Sequence, residues 1–368
     1  MKASASDCPL IQAIDLFCGA GGLTYGLRKA NIAVLAGVDV DSACKFPYEE
    51  NNNAPFCQRD VAQLRGETLN DLFTEGAIRL LAGCAPCQPF STYSNGRNAH
   101  LSPKWGLLAE FGRLVAELKP ELVTMENVPQ IARHLPFQAF LTILENNDYN
   151  VAWDVLDCAQ FGVPQRRHRL VLLASRLGKI KMPRATHSDP ENWITVKMAI
   201  GHLKQIEAGK RENTSDPLHI AAQLSETNQK RIRQSLPGGT WTDWPEELRA
   251  ICHQKETGQT YKSVYGRMVW DHPSPTMTTL CYGFGNGRFG HPEQNRAISL
   301  REAAILQSFP PKYKFCGKDD TPGFRTIGRM IGNAVPPNLG KAIGRAIVNH
   351  VRKMHQESGP CSFASRPS

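Results

Sequence analysis

No stretch of the 368-residue chain approaches the roughly 18 consecutive apolar residues that a membrane-spanning helix requires. The longest candidates are short runs such as Leu170 to Ala174, so a soluble protein is expected. The first residues, MKASASDCPL, have no apolar core of the kind a secretory signal carries, and the eleven cysteines are odd in number and scattered. Both features exclude a disulfide-stapled secreted scaffold and point to free thiols in a reducing cytosol. Cys84 and Cys87 form C-x-x-C, but no second such pair and no spaced Cys/His pair completes a tetrahedral site. No metal is therefore expected, although zinc, redox use or plain burial stays open for that pair. There is no internal repeat and no G-x-G-x-x-G, which disfavours a nicotinamide cofactor, and no Lys-Ser/Thr follows Gly283, Gly285 and Gly287 to make a phosphate cradle.

What is present is a chain long enough for one large domain and a smaller one. Its 43 Lys and Arg against 34 Asp and Glu give a formal charge of +9, which favours contact with a polyanion. The first half alternates short apolar runs with helical patterns, as a parallel sheet with crossover helices does. Strands are predicted at Ala13 to Phe17, Ala33 to Val38, Ile78 to Ala82, Leu122 to Met125 and Arg169 to Ala174. Between them Leu107, Leu108, Phe111, Leu114, Val115 and Leu118 share one helical face that ends at Lys119-Pro120. The fold class is α/β, doubly wound. After Ser175 the alternation stops, and turn residues dominate through about Asn295. There Trp241, Trp244 and Trp270 are read as packing a small core in preference to stacking on bases. Helical pattern returns at Ser299 to Gln307 and Asn338 to Met354, and residues 356–368 read as a disordered tail.

Three features carry chemistry. Asp15 to Gly22 places glycines where a first strand hands over to a first helix, so backbone can approach a ligand at a helix N-terminus. Asp39 and Asp60 follow the next apolar stretches, where a nucleoside-type cofactor is gripped, though each also fits a solvated turn. Cys87 sits between Pro86 and Pro89 in a stiff loop that suits an aimed nucleophile. Glu126 ends one strand and Gln165 to Arg169 precedes another, and in a parallel sheet both are expected to open onto the same edge as Cys87, gathering a thiol, a carboxyl and several guanidiniums. Taken singly, Glu126 is equally a cap and the arginines a solvated run.

The order of these motifs resembles the cytosine-5 DNA methyltransferase family of bacterial modification systems. D-L-F-x-G-x-G-G at Asp15 to Gly22, P-C-Q at Pro86 to Gln88, E-N-V at Glu126 to Val128 and Q-x-R-x-R at Gln165, Arg167 and Arg169 carry the resemblance. Arg301-Glu302 with Gln307 to Pro310, and Gly332 to Pro337, complete it over about Ala13 to Val351. It implies a Rossmann-like, S-adenosylmethionine-dependent methyltransferase domain over 1–181 plus 326–355, and a smaller irregular target-recognition domain over 182–325. Cys87, Glu126, Arg167 and Arg169 are the implied catalytic residues: Cys87 adds to C6 of cytosine, Glu126 shares a proton with N3, and Arg169, supported by Arg167, binds O2.

The implied cofactor residues are Phe17, Gly19, Ala20, Gly21, Gly22, Asp39, Val40, Asp60, Pro86, Asn333 and Ala334, with Val40 standing where a larger side chain often covers the adenine. Gln88, Ser91, Gln165, Thr278, Thr279 and Arg288 are implied to contact DNA, and the loop after Ser91 to close over a flipped base. That loop's Leu101 to Gly106 lacks the acidic and arginine pair expected there. The implied partner is double-stranded DNA, with a cognate restriction endonuclease acting separately, for a monomer in the bacterial cytoplasm at the nucleoid. Methylation of RNA, and a catalytically silent DNA-binding protein on the same fold, are the alternatives.

Overall fold

A computed structural model describes residues 9–86, 106–210, 216–318 and 320–358. They divide into two compact units: 1–157 with 168–185 and 335–368, and 158–167 with 186–334. The first unit is built on a seven-stranded sheet of β1 (Ile11–Leu16), β2 (Ala33–Asp39), β3 (Phe56–Gln58), β4 (Ile78–Gly83), β5 (Leu122–Asn127), β6 (Asn150–Asp157) and β7 (His168–Ser175), in the order β3-β2-β1-β4-β5-β7-β6. β1 and β5 are buried along their whole length, the polar Gln12, Asp15, Thr124, Glu126 and Asn127 included. The helix Gly106–Leu118 lays Leu108, Phe111, Leu114, Val115 and Leu118 onto the sheet, against Leu16, Leu81, Val123, Met125 and Leu172. The last helix, Pro337–Ser358, packs on the first, Gly22–Lys29, at a glycine contact: a Cβ on Gly26 would lie 2.5 Å from the carbonyl of Pro337.

The sheet is not wholly parallel. β1 to β5 are, but β7 runs antiparallel to both β5 and β6. The difference matters for the site, because a parallel strand would put its N-terminal end beside the N-terminal end of β5, away from Glu126. Antiparallel pairing brings Glu126 opposite Val171 and Asn127 opposite Leu170, so the start of β7 and the end of β5 share an edge.

The second unit has no long ladder among its described residues. Isolated bridges join Gln165 to Ser274, Pro237 and Gly290 to Arg267, and Gly290 to Ala297. Trp241 and Trp244 are buried with Ile232, Phe284 and Ala297 in a small aromatic core, whereas Trp270 is half-buried with Nε1 donating to Glu293 at 2.7 Å. Arg267 gives its guanidinium to the carbonyls of Ser235, Ile232, His291 and Gln294, replacing a ladder's hydrogen bonds. Glu302 holds Arg296 through both oxygens, at 2.7 and 2.8 Å, while capping Ser299 N at the start of the helix Leu300–Leu306.

The units part at other residues than the changes of texture at 182 and 325. Cys158–Arg167 and the helix Phe324–Asn333 both belong to the second unit, the former because it pairs with the chain around Ser274. The final helix also continues through 356–358, with Lys353 and Glu357 paired one turn apart at 3.5 Å, so the predicted tail begins too early. The rest of that tail, 359–368, lies outside the described residues. Among the described residues no helix is long and apolar enough to cross a membrane.

Candidate active site

The glycine turn follows β1 directly. Phe17 (φ 57°), Gly19 (φ 50°) and Gly21 (φ 89°) all adopt the left-handed conformation, and Gly21 caps the helix Gly22–Lys29. Gly21 admits no side chain, since a Cβ there would lie 2.2 Å from Asn52 Nδ2. Gly19 faces open space, with nothing within 4 Å of such a position. The non-glycine Phe17 pays for the same geometry in strain, a feature that concentrates at ligand sites. Beneath the turn, Thr24 Oγ1 donates to Asp15 Oδ2 at 2.6 Å and meets Tyr48 Oη at 3.1 Å. Burial pushes Asp15 up to about 7 despite the Thr24 hydrogen bonds.

The carboxylate of Asp39, at the end of β2, is aimed by backbone. Gly19 N donates to Oδ2 at 2.9 Å and Asp41 N to Oδ1 at 3.0 Å, while burial raises its pKa above the usual range. Val40 beside it is exposed, and Ala20 and Gly22 are buried in the turn. Asp60 caps the short turn Val61–Gln63 by accepting from Ala62 N at 3.0 Å. An open glycine face, a helix N-terminus and an oriented carboxylate next to an exposed apolar side chain are together what an adenosine-bearing cofactor needs.

The second cluster lies where β4, β5 and β7 meet. Asn127 Nδ2 donates to Ala85 O at 3.1 Å, tying β5 to the loop that reaches the half-buried Pro86. Glu126 is 3% exposed. Its Oε2 accepts from Cys84 Sγ at 2.9 Å, and its Oε1 lies 3.0 Å from Arg169 Nε. That ion pair is close but not aligned, so Oε1 has no hydrogen-bond partner among the described residues. A buried carboxylate oxygen that is ion-paired but accepts no hydrogen bond has room to accept one from a ligand's donor. Cys87, Gln88, Ser91 and the loop to Trp105 lie outside the described residues.

The other predicted site residues belong to the second unit. Gln165 and Arg167 are buried, the first bonded to Met277, Leu306 and Gln307, the second to the carbonyls of Met277, Gly332 and Ala334. Thr278 and Thr279 are half-buried in a turn bedded on Gly328 and Gly332 of the helix Phe324–Asn333. Asn333, the last residue of that helix, is exposed and Ala334 half-buried. Arg288 is exposed, its stem lying over Gly266. Neither the Cys84–Glu126 contact, which depends on which strand lies beside β5, nor the Asp15–Thr24–Tyr48 chain has a signal in residue spacing.

The family model of the C-5 cytosine-specific DNA methylases matches residues 11–349. Over 346 residues the chain is 48% identical to the type II methylase M.HgiDII of Herpetosiphon aurantiacus, covering 93% of this chain and 96% of that one. It is 33% identical to the type II methyltransferase M1.HphI of Haemophilus parahaemolyticus, over 93% of this chain and 87% of the relative. A solved structure from an Escherichia coli prophage, described as a DNA modification methyltransferase, matches with a TM-score of 0.68 at 22% identity over 92% of this chain and 99% of its own. S. pombe Dnmt2 methyltransferase matches at 0.59 and 18% identity, over 94% and 99%; these two likenesses speak for the fold alone. With both the sequence family and its close relatives spanning nearly the whole chain, this protein belongs to the C-5 cytosine-specific DNA methylase family and is a DNA cytosine-5-methyltransferase of the restriction-modification type.

Proposed function

We propose that the protein transfers a methyl group from S-adenosylmethionine to C5 of a flipped-out cytosine within a specific duplex sequence, through a covalent bond from Cys87 to C6. The observation that carries this reading is Glu126: a buried carboxylate with one oxygen held by Cys84 and the other ion-paired with Arg169 but accepting no hydrogen bond among the described residues. Cytosine presents a ring nitrogen, N3, flanked by an amino group and a carbonyl. A carboxyl and a guanidinium side by side match that edge, Glu126 sharing a proton with N3 and Arg169 donating to O2. When Cys87 adds its thiolate to C6, electron density moves onto N3, where Glu126 stabilises it, and C5 becomes nucleophilic. C5 then takes up the methyl group, a base removes the proton from C5, and the electron pair of that C–H bond re-forms the C5–C6 double bond as the C6–S bond breaks and Cys87 leaves as the thiolate. A stacked cytosine cannot reach such a pocket, so the base is extruded at a cost of a few kcal/mol.

The residues of the first unit fit the cofactor. Phe17, Gly19, Ala20, Gly21 and Gly22 would hold it against the helix N-terminus, Asp39 would accept from the ribose hydroxyls, and Val40, Asp60 and Pro86 would line the adenine and methyl ends. When bound, S-adenosylmethionine supplies an electrophilic methyl on a sulfonium. The first unit is thus read as catalytic and the second as the target-recognition unit, with Thr278, Thr279 and Arg288 facing base edges and the net positive charge favouring the duplex. A monomer, with a cognate endonuclease acting separately, completes the proposal. Transfer of labelled methyl from the cofactor to duplex DNA, with no transfer to RNA, tests it; label on RNA alone overturns it.

A further inference from the structure

Gln165 and Arg167 stand apart from the chemistry above although they share a five-residue pattern with Arg169. The compact units divide within that pattern: Gln165 and Arg167 fold with the second unit, and His168 begins β7 of the first. We infer that Gln165 and Arg167 are positioning residues that clamp Met277, and so fix the Thr278–Leu280 turn against the helix Phe324–Asn333, and that neither contacts DNA or the target base. The inference rests on the reading that this turn recognises the target.

The clamp is built from both sides of one residue. Met277 N donates to Gln165 Oε1 at 2.8 Å, and Met277 O accepts from Arg167 Nη1 at 2.9 Å. The amide of Gln165 can be oriented in only one sense, because Met277 N–H must donate and Leu306 C=O must accept. Its Nε2 accordingly donates to Leu306 O at 3.1 Å and to Gln307 Oε1 at 2.6 Å, which uses both N–H groups. Neither hydrogen remains for a base edge, and the side chain is 0% exposed.

Arg167 then joins the turn to the helix. Its Nη2 donates to Gly332 O at 2.9 Å and Ala334 O at 3.4 Å, carbonyls at a helix C-terminus that have no partner within the helix. Gln307 Nε2 donates to Ala334 O as well, at 2.8 Å. The helix approaches the turn through glycine: a Cβ on Gly332 would lie 2.3 Å from the carbonyl carbon of Thr278, and one on Gly328 2.9 Å from Thr279 O. Backbone pairing supports the same contact from the other side. Arg166 N donates to Ser274 O, Ser274 N to Pro164 O, and the exposed Thr276 donates from Oγ1 to Arg166 O at 2.7 Å. The residues before the turn, the turn itself and the helix end are therefore set by two side chains, and a small loss at either should move the threonines relative to their target.

A positioning role predicts lost discrimination with intact chemistry. Once the methylated site is mapped, single-turnover rates on that duplex and on duplexes altered by one base pair give a specificity ratio, and trapping on a 5-fluorocytosine duplex reports adduct formation. Arg167→Lys, which keeps the charge but not the planar fork, should lower the ratio about tenfold, the effect of one lost charge-assisted hydrogen bond. Trapping on the cognate duplex should stay near wild type. Thr276→Val removes one exposed bond from the same clamp and should shift the ratio in the same direction, which keeps the test available if Arg167→Lys does not fold. An unchanged ratio in the folded variants, or loss of trapping with the ratio intact, overturns the clamp. Thr278→Ala and Thr279→Ala test the reading beneath it: if neither alters the ratio, the turn does not recognise the target and the clamp has no such role.

Discussion

Cys84 places its Sγ 2.9 Å from Oε2 of Glu126, leaving the carboxylate's other oxygen without a hydrogen-bond partner among the described residues. The thiol thus aims the carboxyl while competing little for its charge, since a thiol is a weak donor. Cys84→Ala should lower turnover about fivefold, the worth of one net hydrogen bond, with DNA affinity unchanged, and Cys84→Ser should restore it. Stopped-time methylation assays beside binding titrations check this; equal turnover in Cys84→Ala and wild type would show the contact to be incidental.

Glu126→Gln keeps the shape of the side chain but cannot share a proton with N3. Turnover should fall by about 10² to 10⁴-fold, the usual contribution of general acid–base catalysis, while duplex affinity stays close to wild type. A turnover rate that does not change assigns Glu126 to structure alone.

Asp15 gives a pH signature. Burial raises its pKa from 3.8 to about 7, so the folded state holds a proton that the unfolded state releases. Its contribution to stability is complete below about pH 4 and is lost as pH rises to about 7, with a slope of at most roughly 1.4 kcal/mol per pH unit. Asp15→Asn, neutral throughout, should gain melting temperature relative to wild type as pH is raised from 4 to 7. A difference in melting temperature that stays constant across that range would place the Asp15 carboxyl in a more polar setting.

Arg288 is exposed and its stem rests over Gly266. An arginine bidentate to guanine is worth about 1 to 3 kcal/mol of discrimination. Arg288→Ala should relax the site at one base pair; an even loss of affinity across sequences, with a flatter salt dependence, assigns it to phosphate instead.

Much of the first unit is legible in the sequence, because β1, β4 and β5 are almost wholly buried and each carries a short apolar stretch, such as Leu80 to Ala82, next to turn or helix signals. β6 could not. Its Trp153, Asp154 and Val155 are exposed at the sheet's edge, so polar and apolar residues interleave without a core-facing run. Strand direction was equally hidden, since an apolar run looks the same in either sense, and it is the antiparallel setting of β7 that brings Arg169 to Glu126. The helix Phe324–Asn333 escaped because Gly328 and Gly332 weaken its helical signal, and those glycines are what let the threonine turn approach. Asp39 and the glycine turn were legible because a strand-to-helix handover constrains residue type locally, whereas the Met277 clamp joins residues more than a hundred positions apart.

The most direct measurement is covalent trapping on a duplex carrying 5-fluorocytosine at the target, in the presence of S-adenosylmethionine. Fluorine at C5 cannot leave as a proton would, so the bond from the nucleophile to C6 persists through a denaturing gel. The account predicts a shifted band for the wild-type protein and for Cys84→Ser, and none for Cys87→Ser. A band that survives in Cys87→Ser, or one that disappears in folded Cys84→Ser, would contradict the assignment of Cys87 as the nucleophile.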